Sequence, residues 1–328
     1  MKKALKIICI ILVSLIIIAA VGITAYSGHQ VVINSTQLTQ PQDPFVIPYN
    51  VFSSNHLDYN AFTEKYSIEK LSLTSSKDGH QIPADLIYAD QPGEKDHDTV
   101  IMVHGLGGNR MSVYPPAQVF LENGYNVLAY DQRSSGENQA PLTTFGYLEK
   151  FDLLDWAAEI RSWAPEKKLG VWGTSFGGIT ATLAVCDPAL GLTEHADFLI
   201  LDSPVSNVED EIRMVIDSED MGIPTDYLIW AGNIMNRIEL GFGYKDADGR
   251  EIIRKSMNKG SRFLPLLIFI CGRDDTTPYP QGADLYELYG GENKTLINFE
   301  DSGHANSWKD HEAEYREAVQ NLLDQIHE

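Results

Sequence analysis

The stretch of sequence that decides the fold is residues 169–178, Leu-Gly-Val-Trp-Gly-Thr-Ser-Phe-Gly-Gly. Its first half is apolar and predicts a buried strand, and its second half predicts the start of a helix. Gly173, Ser175 and Gly177 have the spacing of the G-x-S-x-G pattern, in which the serine stands on a sharp strand-to-helix turn. The flanking glycines allow neighbouring backbone to approach that turn. We therefore expect a nucleophilic serine at position 175.

A serine hydroxyl attacks a carbonyl only when a base accepts its proton, and that base needs an acid to orient it. Among the nine histidines of the chain, His304 lies between the last predicted strand, Thr295–Phe299, and the last predicted helix, Ala313–Ile326. Parallel sheets present functional groups on loops at the carboxyl ends of their strands. His304 is therefore the expected base. The expected acid follows another strand, where Asp274 and Asp275 are adjacent and both are candidates.

From residue 67 onward, apolar strands alternate with helical segments. The predicted strands are Ile68–Ser75, Gln81–Tyr88, Val100–His104, Tyr125–Tyr130, Leu169–Gly173, Phe198–Leu201, Leu266–Cys271 and Thr295–Phe299. The first two predict an antiparallel hairpin, and the alternation predicts a mostly parallel, twisted sheet with helices on both faces. Residues 205–262 carry helical segments without a clear strand. Because such a stretch is too long for a loop, we expect an inserted helical lid there.

These motifs together resemble the α/β-hydrolase family, over about residues 67–326. The family usually places its acid three residues after a glycine and three before a proline, and both counts, from Gly272 and from Pro278, select Asp275. The resemblance then implies the chain order Ser175, Asp275, His304 for nucleophile, acid and base. The chain looks most similar to bacterial membrane-anchored or secreted members, of the serine aminopeptidase and acyl-ester hydrolase branches.

The resemblance also implies two backbone donors for an oxyanion. One is the N–H of Phe176, directly after the expected nucleophile, and the other is the N–H of Leu106 in the glycine-rich stretch 104–109. His104 is expected to support that loop. Residues 131–136 resemble the family's D-x-R-x-x-G loop, whose acidic and basic side chains we expect to be structural.

The N-terminus carries Lys2, Lys3 and Lys6, followed by the apolar run Ile7–Ala25. A membrane helix needs about 20 apolar residues, whereas the core of a signal peptide needs about 7–15. The run fits the longer class and lacks a good cleavage site, so we predict an uncleaved signal anchor. The positive-inside rule then predicts a single-pass protein of the cell membrane with its main domain outside the cytoplasm. Secretion after signal cleavage is the alternative.

The predicted organisation has three parts: a transmembrane helix over residues 1–28, a stalk and lead-in over residues 29–66, and a hydrolase domain over residues 67–328. Residues 34–44 are polar with two prolines, which predicts the stalk. One short helix is expected around Tyr59–Lys65.

Composition excludes several classes of function. The formal charge of −21 over 328 residues argues against binding to a phosphate backbone. Three cysteines are too few for a disulfide framework, and their spacing fits no zinc site. We therefore expect no metal, no cofactor and no nucleic-acid partner. The expected partners are a small-molecule ester or short peptide as substrate, and a membrane through the N-terminal helix. The oligomeric state is left open.

The resemblance implies a serine hydrolase that acts on a carboxyl ester through acyl transfer to water. A peptidase or amidase with the same triad is the first alternative. A non-catalytic binding module on the same scaffold is the second, because a fold does not fix a function.

Overall fold

The computed structural model describes residues 2–38, 46–55, 57–219, 221–277 and 279–328. It divides into two compact units. The larger unit comprises Gln37–Glu211 and Lys245–Glu328, and the smaller comprises Met1–Thr36 and Ile212–Tyr244.

The larger unit is built on a sheet in which the described residues form eight strands. The strands are β1 (Ile68–Thr74), β2 (Gln81–Ile87), β3 (Thr99–Val103), β4 (Asn126–Tyr130), β5 (Leu169–Thr174), β6 (Phe198–Asp202), β7 (Leu266–Cys271) and β8 (Lys294–Phe299). Their order across the sheet is β1-β2-β4-β3-β5-β6-β7-β8. Strand β2 is antiparallel to β1 and to β4, and the remaining neighbours are parallel. This arrangement confirms the predicted mostly parallel sheet.

Helices of the larger unit connect these strands and cover both faces of the sheet. The described residues of the two units together form twelve α-helices. They are α1 (Lys2–Thr36), α2 (Val46–Ser54), α3 (Tyr59–Lys65), α4 (Tyr114–Glu122), α5 (Glu149–Trp163), α6 (Phe176–Cys186), α7 (Val208–Glu219), α8 (Thr225–Glu239), α9 (Gly249–Lys259), α10 (Tyr279–Leu288), α11 (Ser307–Asp310) and α12 (Glu312–His327). The short helix expected at Tyr59–Lys65 is present as α3, and its first turn is capped by the side chain of Asp58.

The core of the larger unit lies around the central strands. Every residue of β3 and β4 is buried, as expected for strands covered on both faces. On one face, α12 is fixed by Tyr315, whose ring stacks on Phe269 of β7 at a centroid distance of 4.0 Å. The indole Nε1 of Trp172 in β5 donates to the Tyr315 hydroxyl at 2.8 Å, so this buried polar pair is satisfied.

Buried ion pairs fix the loop that follows β4. The carboxylate of Asp131 accepts hydrogen bonds from the backbone N–H groups of Arg110 and Glu137, each at 2.8 Å, and also pairs with the Arg110 guanidinium. Arg133 pairs with Asp152 at 2.9 Å and with Asp78 at 2.6 Å. These contacts agree with the structural roles expected for Asp131 and Arg133.

The smaller unit contains one helix that is much longer than an ordinary domain helix. Helix α1 runs without interruption for 35 residues. Its side chains are exposed as far as Ile23, and beyond that point a face at four-residue spacing is partly or fully buried, namely Thr24, Gly28, Val32 and Thr36. This face packs on α8, where the Tyr227 hydroxyl bonds to Thr24 Oγ1 at 3.2 Å.

The extent of α1 corrects the predicted stalk. Residues 34–36 are helical, and the buried side chain of Thr36 bonds back to the carbonyl oxygen of Val32 at 2.7 Å. Packing on α8 stabilises this polar end of the helix, and the sequence pattern does not show such a tertiary contact. Residues 39–44 of the predicted stalk lie outside the described residues.

The segment predicted as a lid, residues 205–262, holds α7, α8 and α9. Its central part, Ile212–Tyr244, belongs to the smaller unit together with α1. Helix α9 belongs to the larger unit, where the Ser256 hydroxyl donates to the carbonyl oxygen of Cys186 in α6 at 2.6 Å. The segment thus contributes helices to both units, and a lid function for it stays a prediction.

Candidate active site

The turn between β5 and α6 places Ser175 in a conformation that side chains rarely adopt. Its φ and ψ are 53° and −122°. Such positive φ costs free energy for a residue with a Cβ, so the surroundings must hold it in place. The Ser175 N–H donates to the carbonyl oxygen of Asp202 at 3.0 Å, and the Ser175 carbonyl accepts from the N–H of Val205 at 3.0 Å. These bonds tie the strained turn to the end of β6.

Gly177 is the closest point of contact between α6 and β3. A Cβ at this position would overlap the carbonyl oxygens of Val103 and His104. Because backbone carbonyls of a central strand cannot move aside cheaply, we expect Gly177→Ala to lower the free energy of unfolding by about 3 kcal/mol. Thermal or urea unfolding measures this loss.

Gly79→Ala is the control for that variant. Unlike Gly177, Gly79 has a positive φ, and a Cβ there meets no atom within 4 Å. It should cost only about 1–2 kcal/mol, the ordinary penalty of a left-handed backbone. An unfolding free energy of Gly177→Ala equal to that of the unmodified protein would contradict the packing argument.

Ser175, His304 and Asp274 form a continuous hydrogen-bonded relay. His304 Nε2 lies 3.0 Å from Ser175 Oγ, and His304 Nδ1 lies 2.8 Å from Asp274 Oδ2. Burial raises the pKa of Asp274, but the hydrogen bond and charge of His304 and two bonds from Thr277 outweigh burial and hold that pKa below its usual value. The carboxylate is therefore ionised at neutral pH and accepts the Nδ1 proton, which leaves Nε2 free to accept from the serine.

The structure places Asp274, and not the predicted Asp275, against the imidazole of His304. Asp274 has a side chain only 1% exposed, whereas Asp275 is exposed to solvent. The Asp274 Oδ1 atom accepts from the N–H groups of Thr276 at 2.9 Å and Thr277 at 2.7 Å, which aims Oδ2 at the imidazole. Counting positions from the flanking glycine and proline does not reveal this turn.

Thr277 is a site residue that the sequence analysis missed. Its hydroxyl lies 2.7 Å from Asp274 Oδ2, 3.1 Å from the carbonyl oxygen of Ser203 and 3.2 Å from His304 Nδ1. It therefore links the acid, the imidazole and the end of β6. A threonine in a polar loop carries no recognisable signal, so only the fold reveals this role.

Asp202 is a second missed residue, fully buried beneath the His304 loop. Its Oδ1 accepts from the Ser307 hydroxyl at 2.5 Å and from the Ser203 hydroxyl at 3.4 Å. The Ser203 hydroxyl in turn accepts from the N–H of Ala305 at 3.2 Å, next to His304. The carboxylate at the end of β6 thus fixes both sides of the loop that carries the imidazole.

Burial makes Asp202 a source of pH-dependent stability. Desolvation raises its pKa to about 6, in spite of the hydroxyls that donate to it. In the unfolded chain the carboxyl of Asp202 has a lower pKa and releases its proton more readily. The stability that comes from keeping Asp202 protonated in the fold is therefore complete below about pH 4 and is lost as pH rises through about 6. We expect Asp202→Asn to remove this dependence, so that its stability relative to the unmodified protein rises by about 2 kcal/mol between pH 4 and pH 7, given the folded pKa of about 6. Urea unfolding at a series of pH values measures the difference, and parallel stability curves for the two proteins would contradict it.

His104 supports the glycine-rich loop, as the resemblance implied. Its Nε2 accepts from the N–H of Gln132 at 3.0 Å, so Nδ1 carries the proton and donates to the carbonyl oxygen of Gly105 at 2.7 Å. Burial lowers the pKa of His104, which keeps the ring neutral and this tautomer fixed. The ring therefore holds the start of the loop against the loop after β4.

Both residues expected to supply the oxyanion donors are next to the Ser175 turn. Phe176 follows Ser175 in the chain, and Leu106 follows Gly105, which lies against Ser175. Gly105 is so close that a Cβ on it would lie 3.1 Å from Ser175 Cβ, and Leu106 follows directly. The Gly108 N–H donates to the Gly105 carbonyl at 3.2 Å and closes the loop around Leu106. Phe176 is the first residue of α6, where backbone N–H groups lack a partner within the helix. The roles of Leu106 and Phe176 stay proposals.

Comparisons with known proteins agree with this architecture. The sequence profile described as alpha/beta hydrolase fold matches residues 98–235. The chain is 27% identical to the uncharacterized protein YqkD of Bacillus subtilis, over 70% of this chain and 72% of that protein. It is similar in structure to the esterase Pf2001 of Pyrococcus furiosus, with a TM-score of 0.61 and 18% identity over 89% of this chain and 98% of the esterase. The esterase EaEST of Exiguobacterium antarcticum gives a TM-score of 0.53 and 18% identity over 78% of this chain and 100% of that one. The chain thus has the α/β-hydrolase fold, and its residues 98–235 match the sequence profile of that fold.

Proposed function

We propose that this protein is a serine hydrolase with Ser175 as nucleophile, His304 as general base and Asp274 as the acid that orients it. The observation that carries the proposal is the relay itself, with 3.0 Å between Ser175 Oγ and His304 Nε2 and 2.8 Å between His304 Nδ1 and Asp274 Oδ2. Both distances are hydrogen-bonding distances, so proton transfer needs no rearrangement of these side chains.

The proposed reaction is acyl transfer to water. Ser175 Oγ attacks the carbonyl carbon of the substrate while His304 Nε2 takes the hydroxyl proton, and the N–H groups of Phe176 and Leu106 donate to the oxyanion. As the intermediate collapses, the bond to the leaving group breaks and the imidazolium returns the proton to the leaving group. Water then attacks the acyl-enzyme with the same base, and the carboxylic acid leaves with Ser175 regenerated.

Carboxyl esters are the proposed substrates. An alkoxide leaves more readily than an amide nitrogen, and two structurally similar proteins are esterases by name. Amide or peptide bonds are the alternative, because the same triad cleaves them when the imidazolium protonates the leaving nitrogen as the intermediate collapses.

We also propose that α1 anchors the protein in a membrane as an uncleaved signal anchor. It is long and apolar enough to cross a bilayer, with a mean hydropathy of 3.1 in its most apolar window and none of that window buried. The lysines that precede the apolar run favour a cytoplasmic N-terminus and a hydrolase domain outside the cytoplasm. Packing of residues 24–36 on α8 favours retention of the helix, since this part is built into the smaller unit.

Two measurements on one preparation test the hydrolase proposal. A fluorophosphonate probe should label the protein at Ser175, and labelling should disappear in Ser175→Ala. A panel of p-nitrophenyl esters of increasing chain length, run beside aminoacyl anilides, should show turnover of the esters above that of the anilides. Absence of labelling together with absence of turnover would favour the binding-module alternative, and faster turnover of the anilides would favour the peptidase.

A further inference from the structure

The smaller unit carries an aromatic and apolar patch at one end of α8. We define this patch as the exposed side chains of Met221, Ile223 and Trp230 together with Tyr227, whose ring lies 6.1 Å from that of Trp230. Trp230 is 54% exposed although it is the largest side chain of α8. Large apolar side chains that face outward together at one end of a helix mark a surface that contacts something other than water.

The contacts between α1 and α8 give the position of this patch along the anchor. Thr24 contacts Tyr227, and Gly28 lies against Ala231 and Met235, so advancing four residues on α1 advances four or more on α8. The two helices therefore run in the same direction. The N-terminal end of α8, which carries the patch, lies nearest to the exposed apolar half of α1.

The change in burial along α1 marks where the bilayer of the proposed anchor would end. Side chains from Lys3 to Ile23 are exposed and mostly apolar, whereas burial against α8 begins at Thr24. A hydrocarbon core about 30 Å thick takes about 20 helical residues, and the run Ile7–Ala25 meets that length. Thr24 and Tyr227 therefore lie at the level where the helix leaves the hydrocarbon core.

We propose that this patch is seated in the outer headgroup region of the same bilayer that α1 spans, an inference that rests on the anchor proposed above. Tryptophan and tyrosine prefer this depth because their rings are apolar and their polar atoms remain hydrated. Tyr26, 68% exposed at the end of the apolar run, extends the same aromatic belt on α1. Met221 and Ile223 precede α8 and lie deepest. Asp226 is compatible with this depth because Arg213 pairs with it at 2.7 Å.

Other tryptophans of the chain lie in the larger unit, so fluorescence isolates Trp230. The full-length protein is reconstituted in phosphatidylcholine vesicles whose acyl chains carry bromine at positions 6 and 7 or at positions 11 and 12. Bromine quenches tryptophan on contact. Trp230 is one of five tryptophans, so the expected loss of emission attributable to it approaches one fifth of the total. The loss should be larger with the shallow bromines and absent in Trp230→Phe.

A second tryptophan position provides the matched control. Ile238 is 69% exposed at the opposite end of α8, about 12 Å further from the bilayer along the helix axis. In the Trp230→Phe background, Ile238→Trp should add emission that brominated lipid does not quench. Equal quenching of the unmodified protein and Trp230→Phe, or strong quenching at position 238, would overturn the proposal.

The readouts separate this proposal from the others. Quenching does not require hydrolysis, so a protein that turns over esters without quenching at Trp230 overturns only the seating of the patch. Flotation of the protein with vesicles reports on the anchor by itself. A protein that floats but shows no Trp230 quenching keeps the anchor and loses the patch, whereas a protein that does not float overturns both.

Discussion

Replacing Ser175 with alanine is expected to lower kcat by about 10⁶-fold, the size of loss found when the nucleophile of another triad hydrolase is removed. Without the hydroxyl, His304 has no proton to accept from the protein, and no acyl-enzyme forms. The fold should survive, because the backbone hydrogen bonds that hold the turn come from the N–H and carbonyl of residue 175 and not from its side chain. Turnover of p-nitrophenyl acetate with a matched circular dichroism spectrum measures the effect.

Ser162→Ala is the control for that experiment. Ser162 is exposed on α5, and its hydroxyl donates only to a backbone carbonyl of its own helix. Its kcat should match that of the unmodified protein. Undiminished esterase activity in Ser175→Ala would show that the assignment of the nucleophile is wrong.

Replacing Asp274 with asparagine is expected to lower kcat by about 10⁴-fold, as the corresponding change does in another serine hydrolase. The asparagine amide can present its NH₂ group to His304 Nδ1, which then accepts a hydrogen bond, and the tautomer with its proton on Nε2 cannot take the proton of Ser175. KM for a small ester should change far less than kcat, because Asp274 reaches the substrate only through the imidazole.

Asp275→Asn is a closely matched control, since it makes the same chemical change one residue further along the same loop. Asp275 is exposed, so the variant should retain the kcat of the unmodified protein. If instead Asp275→Asn is the inactive variant and Asp274→Asn the active one, the family spacing describes the acid correctly and the relay seen here does not operate.

The strands and the strand-to-helix turn that carries Ser175 were predictable because their signals are local. The predicted strand Tyr125–Tyr130 differs from β4 by only one residue. A short apolar run between turn residues, with helical segments on either side, is readily identified as a buried strand. Ser175 was predictable because the glycines of its turn are required by contacts such as that of Gly177 with the end of β3.

The aspartate that contacts His304 was not predictable, because two adjacent aspartates differ only in where the turn directs their side chains. The N–H groups of Thr276 and Thr277 select Asp274, and no count of residues contains that information. Asp202 was missed for a related reason. The supporting role of a buried carboxylate at the end of a strand is recognisable only in the folded structure. There the loop around His304 packs against Asp202.

The end of α1 was also not predictable, because it packs on α8, about 200 residues further along the sequence, where Val31 lies against Gly232. Residues 34–36, Asn-Ser-Thr, favour caps and turns when they are considered alone. In the structure they continue the helix because Thr36 is buried in the smaller unit.

The close approach of α1 to α8 has a practical consequence for preparing a form of the protein without the proposed membrane anchor. Gly28 and Gly232 allow the two backbones to meet, since a Cβ at Gly28 would overlap the carbonyl oxygen of Ala231 and one at Gly232 would lie 2.7 Å from Val31 Cγ1. Truncation or proteolysis after Thr36 would remove α1 from α8. The face of α8 around Ala231 and Gly232, which α1 covers, would then be exposed to water. A cut just before Thr24 removes the exposed apolar part of α1 and keeps this face of α8 covered. Thr24 is therefore the best first residue for a truncated form without the apolar segment.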